Sequence, residues 1–194
     1  MLAGNACHLG LGRHLWLLPG VSYDGFRAGS ASRRCLVGPI VTYFFCCSML
    51  LAPGSVVEPG NWGRIIKLYK PSMNANAWAL ARELIFERVR LQNYAEKPSR
   101  FDALFLCFTE LDLQEFRSMN SRPIDISYEV KLVDPEAASH TADWSTATTE
   151  QTDDFAAVER RAHTYWQAQN IRQRELVTLS PIKVVRRFCN ETHL

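Results

Sequence analysis

No two of the six cysteines in this chain (Cys7, Cys35, Cys46, Cys47, Cys107 and Cys189) stand in the C-x-x-C spacing of a zinc knuckle or a dithiol redox pair. Cys46 and Cys47 are adjacent, and neighbours on a strand point to opposite faces, so they do not converge on one ion. No metal ligand set is assigned, and the thiols are expected to be free in a reducing cytosol. An excess of one charge is also missing: 22 Lys and Arg stand against 20 Asp and Glu. The resulting net charge of +2 is too small for the field that drives nonspecific binding to nucleic acid. Absent as well are the phosphate-binding G-x-x-x-x-G-K-[ST], the metalloprotease H-E-x-x-H, the nucleophile elbow G-x-S-x-G and the dinucleotide fingerprint. The first residues lack a basic stretch followed by a sustained apolar run, which argues against a secretory signal and for a cytoplasmic location. Residues 35–53 carry no charge and approach the length of a membrane span, but they include Gly38, Pro39 and Ser48. Their β-branched and aromatic run from Ile40 to Phe45 favours a buried strand over a membrane helix; a membrane anchor here is the least favoured reading.

What is present is an ordinary globular composition, 47% hydrophobic and 22% charged over 194 residues, enough for one core. Residues 1–38 mix glycine, arginine and isolated apolar clusters without a period, and are expected to be a poorly ordered leader. Residues 39–190 read as one α+β domain. A strand through Phe45 is followed by turns at Pro53-Gly54 and Glu58-Pro59-Gly60-Asn61. Arg64 to Tyr69 reads as either a further strand or a short helical turn. A helix capped by Ser72 or Asn74 then runs to Asn93, with Trp78, Ala81, Ile85 and Val89 inward and Arg82, Glu83, Arg88 and Arg90 outward.

Residues 101–108 are almost wholly apolar, as in a central strand, and Thr109-Glu110-Leu111-Asp112 has capping-box spacing for a helix ending near Met119. Ile126, Tyr128, Val130 and Leu132 alternate with polar residues as in a strand with one wet face. Residues 136–151 are expected to form a long surface loop anchored by Trp144. A helix opening near Thr152 carries Asp153 and Asp154 in its first turn and an inward stripe of Phe155, Val158, Ala162 and Tyr165. Residues 175–179 and 182–188 read as two strands bent at Pro181. His163, beside that stripe, reads as a structural histidine; His140, in the expected loop, has no metal-ligand partner.

Three segments carry a resemblance: Pro59-Gly60-Asn61-Trp62-Gly63-Arg64, Lys97-Pro98-Ser99-Arg100-Phe101 and Arg174-Glu175-Leu176-Val177, together with Tyr165-Trp166. In this order they resemble a bacterial family described mainly as a domain of unknown function, itself similar to the ADP-ribosyltransferase fold. The resemblance implies two small packed β-sheets with flanking helices that clasp NAD as substrate. It also implies a function: an NAD-dependent mono-ADP-ribosyltransferase-like protein, acting as a toxin or defence effector. Nicotinamide leaves the ribose through an oxocarbenium-like transition state, which a nearby carboxylate stabilises. Glu175 holds the matching position. Its other reading is a surface glutamate paired with Arg172 or Arg174, and Glu129 is a competing carboxylate.

Cofactor contacts implied by the resemblance are Cys46, Arg64, Ser99 and Arg100. Arg64 would meet the pyrophosphate beside backbone N–H groups of the Gly60 to Gly63 turn, its alternative being a solvated arginine. Ser99 and Arg100 would border the nicotinamide, or simply open the strand. Trp62 reads as core before cofactor platform. Cys46 stands where the family has histidine or arginine, and a neutral thiol is a weak donor. That substitution motivates the alternative function, a catalytically inactive nucleotide- or protein-binding module on the same fold. The acceptor of any transfer stays open among protein, nucleic acid and small molecules.

Overall fold

The computed structural model describes residues 41–69, 74–148 and 153–188. The expected leader, Cys7, Cys35, Cys189 and the helix starts at Ser72 and Thr152 lie outside the described residues. The aromatic run ends in β1 (Tyr43–Cys47), as its β-branched and aromatic content demands. Gly54 turns the chain at φ 89°, and β2 (Val56–Val57) follows. A second left-handed glycine, Gly60 at φ 84°, opens α1 (Asn61–Ile66), which settles the open choice at Arg64 in favour of a helix. Next come α2 (Asn74–Asn93) and β3 (Leu104–Cys107). The capping box forms as expected: Asp112 N donates to Thr109 Oγ1 at 3.1 Å and Thr109 N to Asp112 Oδ2 at 3.0 Å, starting α3 (Glu110–Met119).

β4 (Ile126–Leu132) has the span its alternation gives. The segment expected to be a long loop instead holds β5 (Ser139–Asp143) and a 3-10 turn over Trp144–Ala147. The polar run Ser139-His140-Thr141 has no apolar alternation of its own; pairing with β6 makes it a strand. Trp144 is buried, so its anchoring role holds. Asp154 caps α4 (Phe155–Gln167) by accepting from Ala157 N at 2.7 Å, and β6 (Arg174–Thr178) and β7 (Ile182–Phe188) complete the fold. Among the described residues no helix is long and apolar enough to cross a membrane.

The expectation of two small packed sheets is not met. The seven strands among the described residues belong to one antiparallel sheet in the order β2-β7-β4-β1-β3-β6-β5. The join is narrow: β1 meets β3 through the single registered pair Phe44↔Cys107. Connectivity also requires the sheet to curl. β6 and β7 are four places apart in the order, which in a flat sheet is ~19 Å at ~4.8 Å per strand. Yet Ile182 is only four residues beyond Thr178, a reach of at most ~14 Å.

Bending about the β1–β3 seam closes that gap and buries the inner face. Leu104, Leu106 and Leu176 from one half form a cluster with Tyr128, Val130, Ile182 and Val184 from the other. The outer face of β3, β6 and β5 is covered by α2 and α4 through Phe86, Val89, Val158, Ala162, Tyr165 and Trp166. Two helix stripes differ from expectation. Trp78 and Phe155 stay substantially exposed, whereas Glu83 and Arg90, placed outward from sequence, are buried. The stripe on α2 keeps Ile85 and Val89 inward and widens to Glu83 and Arg90, whose charges meet Arg100 and Glu87.

Candidate functional site

The loop between α2 and β3 carries Arg100 into the space under α2 and α4, where β6 presents Glu175. Arg100 grips Glu83 with two atoms, Nε to Oε2 at 2.9 Å and Nη2 to Oε1 at 3.2 Å. Its Nη1 reaches Glu175 Oε1 at 3.2 Å and also meets the Tyr165 hydroxyl. Tyr165 donates to the same Glu175 oxygen at 2.7 Å. The guanidinium lies over the rings of Phe105 and Tyr165 at 4.7 and 4.8 Å. Glu83, Arg100 and Glu175 are 1%, 7% and 5% exposed.

Two carboxylates thus share one deeply placed guanidinium, with Arg82 adding a second cation on Glu83 at 2.9 Å. Burial pushes Glu83 toward protonation, but Arg100 and Arg82 outweigh it and hold its carboxyl below the usual range. Burial likewise pushes Glu175 up, and there Arg100 and Tyr165 offset only part, so it stays above the usual range. The difference follows from geometry: Glu83 has the bidentate contact and a second arginine, Glu175 a single shared oxygen.

A second layer holds the loop. Arg90 donates to Glu87 at 2.7 and 3.0 Å and to the carbonyls of Ala95 and Lys97 at 3.2 and 2.9 Å. Ser99 Oγ donates to Glu87 Oε2 at 3.0 Å and accepts from Phe101 N at 3.2 Å. From the other side Gly60 N donates to the Ala103 carbonyl at 3.2 Å, and Gly63 lies against the Phe101 backbone. The three segments that carry the resemblance, and Tyr165-Trp166 with them, therefore converge on one small region.

Within it the predicted residues divide. Glu175 is not a surface glutamate: its partner is Arg100, while Arg174 stacks on Phe108 at 5.3 Å and Arg172 reaches Asp143 through its backbone N–H at 2.7 Å. Arg100 does more than open a strand, and Ser99 braces its loop. Arg64 stays apart and exposed, with Nη1 donating to the Pro59 carbonyl at 3.2 Å. Trp62 is half-buried and packs edge-on to Tyr69, its indole N–H without a hydrogen-bond partner among the described residues. Cys46 shares a sheet face with Glu175 through the pairs Phe44↔Cys107 and Cys107↔Glu175, but two strands away. Burial first, then the Asp125 carboxylate, push its thiol up to about 12, so it is neutral at pH 7. Glu129 is paired with Arg186 at 2.6 Å. A shallow cleft of about 360 Å³, lined by Thr146, Asp153, Ala157, Arg160, Arg161 and Thr164, includes none of these residues.

His140 is buried on β5, not in a loop; its Nε2 lies 3.0 Å from the Tyr165 carbonyl, and burial lowers its pKa. His163 is structural, 3.3 Å from the Tyr94 hydroxyl. Sequence reasoning missed Glu83, Glu87 and Arg90. The available signal was their spacing with Phe86, which sets all four on one helical stripe.

Residues 57–191 match the model of a family described as "Protein of unknown function (DUF2441)". No curated protein matches the chain.

Proposed function

The chain belongs to the DUF2441 family, and from that premise we propose that its domain is a catalytically inactive nucleotide- or protein-binding module on an ADP-ribosyltransferase-like fold. One observation carries the reading: Glu175 is 5% exposed and its Oε1 is occupied by both Arg100 and Tyr165. A carboxylate that stabilises an oxocarbenium-like ribose must face the sugar with charge to spare, and here that charge is spent on a guanidinium. The neutral Cys46 thiol offers a cofactor no charge either.

The second reading is an NAD-dependent mono-ADP-ribosyltransferase, a toxin or defence effector, with Glu175 as the catalytic carboxylate. It draws support from the convergence of Gly63, Arg100, Tyr165 and Glu175. It requires the Arg100 contact to Glu175 to open as NAD enters, with Arg64 at the pyrophosphate and Ser99 and Arg100 at the nicotinamide.

Incubation with NAD separates the two. The module reading expects no nicotinamide release above buffer, and Glu175→Gln should shift stability by no more than about 1 kcal/mol. The amide oxygen still accepts from Tyr165, and Arg100 keeps Glu83. Nicotinamide release by the natural chain that Glu175→Gln abolishes, with the thermal melt unchanged, would establish the transferase instead.

A further inference from the structure

Among the described residues no helix packs broadly across the outer face of β4 and β7; α3 lies against β1 and reaches the end of β4 through Arg117. Strand pairing fixes which side chains it presents. Glu129 stands opposite Phe44 and Arg186, Lys131 opposite Lys183, Ser127 opposite Phe188, and Val56 on β2 opposite Lys183. The Phe44 and Phe188 rings meet edge to face at 5.6 Å and both are half-buried, with part of each ring reaching solvent.

The charges on this face do not balance. Glu129 is engaged by Arg186 at 2.6 Å, and Arg186 remains 64% exposed. Lys131 and Lys183 are direct cross-strand neighbours, and neither forms an ion pair among the described residues. Like charges directly opposite each other destabilise a sheet, so the fold retains a repulsion that an anion would relieve. At its α3 end the face meets Arg117, which donates to Ser127 Oγ at 3.0 Å, and the Arg122–Asp125 pair at 3.1 Å. Three cations against one carboxylate lie beside two half-buried rings and Val56, itself 52% exposed. A small net charge over the whole chain conceals this one-sided distribution.

We propose that this face binds single-stranded nucleic acid, its phosphates on Lys131, Lys183 and Arg186 and its bases against Phe44 and Phe188. A sheet that offers partly accessible rings beside two lysines with no ion pair among the described residues suits unstacked bases, which a duplex does not present. The inference goes beyond the proposed function and uses no residue of the Glu175 network, so either can fail alone.

Fluorescence anisotropy of the full chain with a labelled single strand of about a dozen nucleotides tests it. Binding should weaken with salt with a log–log slope of about −2, from three cations at ~0.7 each. Lys183→Glu should weaken it about tenfold or more while leaving the melting temperature unchanged or raised, since the new carboxylate faces Lys131. Phe188→Ala should weaken it without changing the slope. Three results would overturn the proposal: no binding at low salt, affinity untouched by both substitutions, or a duplex bound equally well by the natural chain and Phe188→Ala.

Discussion

Replacing Arg100 by methionine should lower the free energy of unfolding by about 3–5 kcal/mol at neutral pH, as removal of one member of a buried ion cluster does. Methionine keeps an unbranched stem against Phe86, Phe105 and Tyr165, so the loss isolates charge from packing. Glu83 and Glu175 would stay buried, Glu83 with only Arg82 and Glu175 with only Tyr165. Arg100→Lys should recover part of the loss, because a point charge cannot reproduce the fork on Glu83 while reaching Glu175.

The pH dependence supplies an independent check. In the natural protein Glu83 sits below the usual carboxylate range, so its contribution is present above its unfolded pKa and lost as pH falls. Glu175 sits above that range, so its contribution has the opposite sign: it is present at low pH and lost as pH rises through the folded value. Without Arg100 both carboxyls are raised by burial and both favour the protonated form. The stability gap between the natural chain and Arg100→Met should therefore shrink on acidification. Urea denaturation at neutral and acidic pH measures it, and a gap that is constant with pH or below ~1 kcal/mol would mean the cluster is solvated.

Legibility in the sequence followed the range of the interaction. The capping box at Thr109 and Asp112, the alternation of β4 and the limits of β7 all rest on neighbours a few residues apart, and each is found where local chemistry places it, while β6 begins and ends one residue earlier than expected. β5 was invisible because Ser139, His140 and Thr141 become a strand only beside β6, more than thirty residues on. The sheet count turned on one pair, Phe44↔Cys107, joining segments some sixty residues apart.

The candidate site shows the same division. Glu175 stood out as an acid on a late strand, yet Arg172 and Arg174 were its expected partners because they are close in sequence. Its actual partner, Arg100, is 75 residues away. Glu83 reads as part of a solvated helix face for the same reason: its stripe with Phe86, Glu87 and Arg90 is local, but the guanidinium that meets it arrives from the loop beyond α2.

Gly63→Ala provides the other large effect and a direct test of how that loop is held. Helix propensity alone predicts a gain of about 1 kcal/mol, since Gly63 lies inside α1. Packing predicts the reverse. A Cβ at Gly63 would stand 2.0 Å from the Phe101 carbonyl oxygen and 2.8 and 2.9 Å from its carbonyl carbon and Cα. These are backbone atoms, which cannot swing aside as the end of a long side chain can. Either α1 lifts away from the loop or the loop retreats, and the residue before Phe101 is Arg100.

The expected cost is about 3 kcal/mol, the upper end for forcing atoms into a filled site. If the loop is what moves, Gly63→Ala already loosens Arg100, and the double variant with Arg100→Met should lose less than the sum of the two. Gly54→Ala is the control: its φ of 89° is unfavourable to a side chain, but nothing lies within 4 Å of the new carbon, so it carries conformational strain without a clash. A Gly63→Ala protein as stable as the natural one would mean that α1 does not press on Phe101. It would also return the Gly60 to Gly63 turn to its other reading, a surface kept bare for a phosphate rather than for a neighbouring backbone.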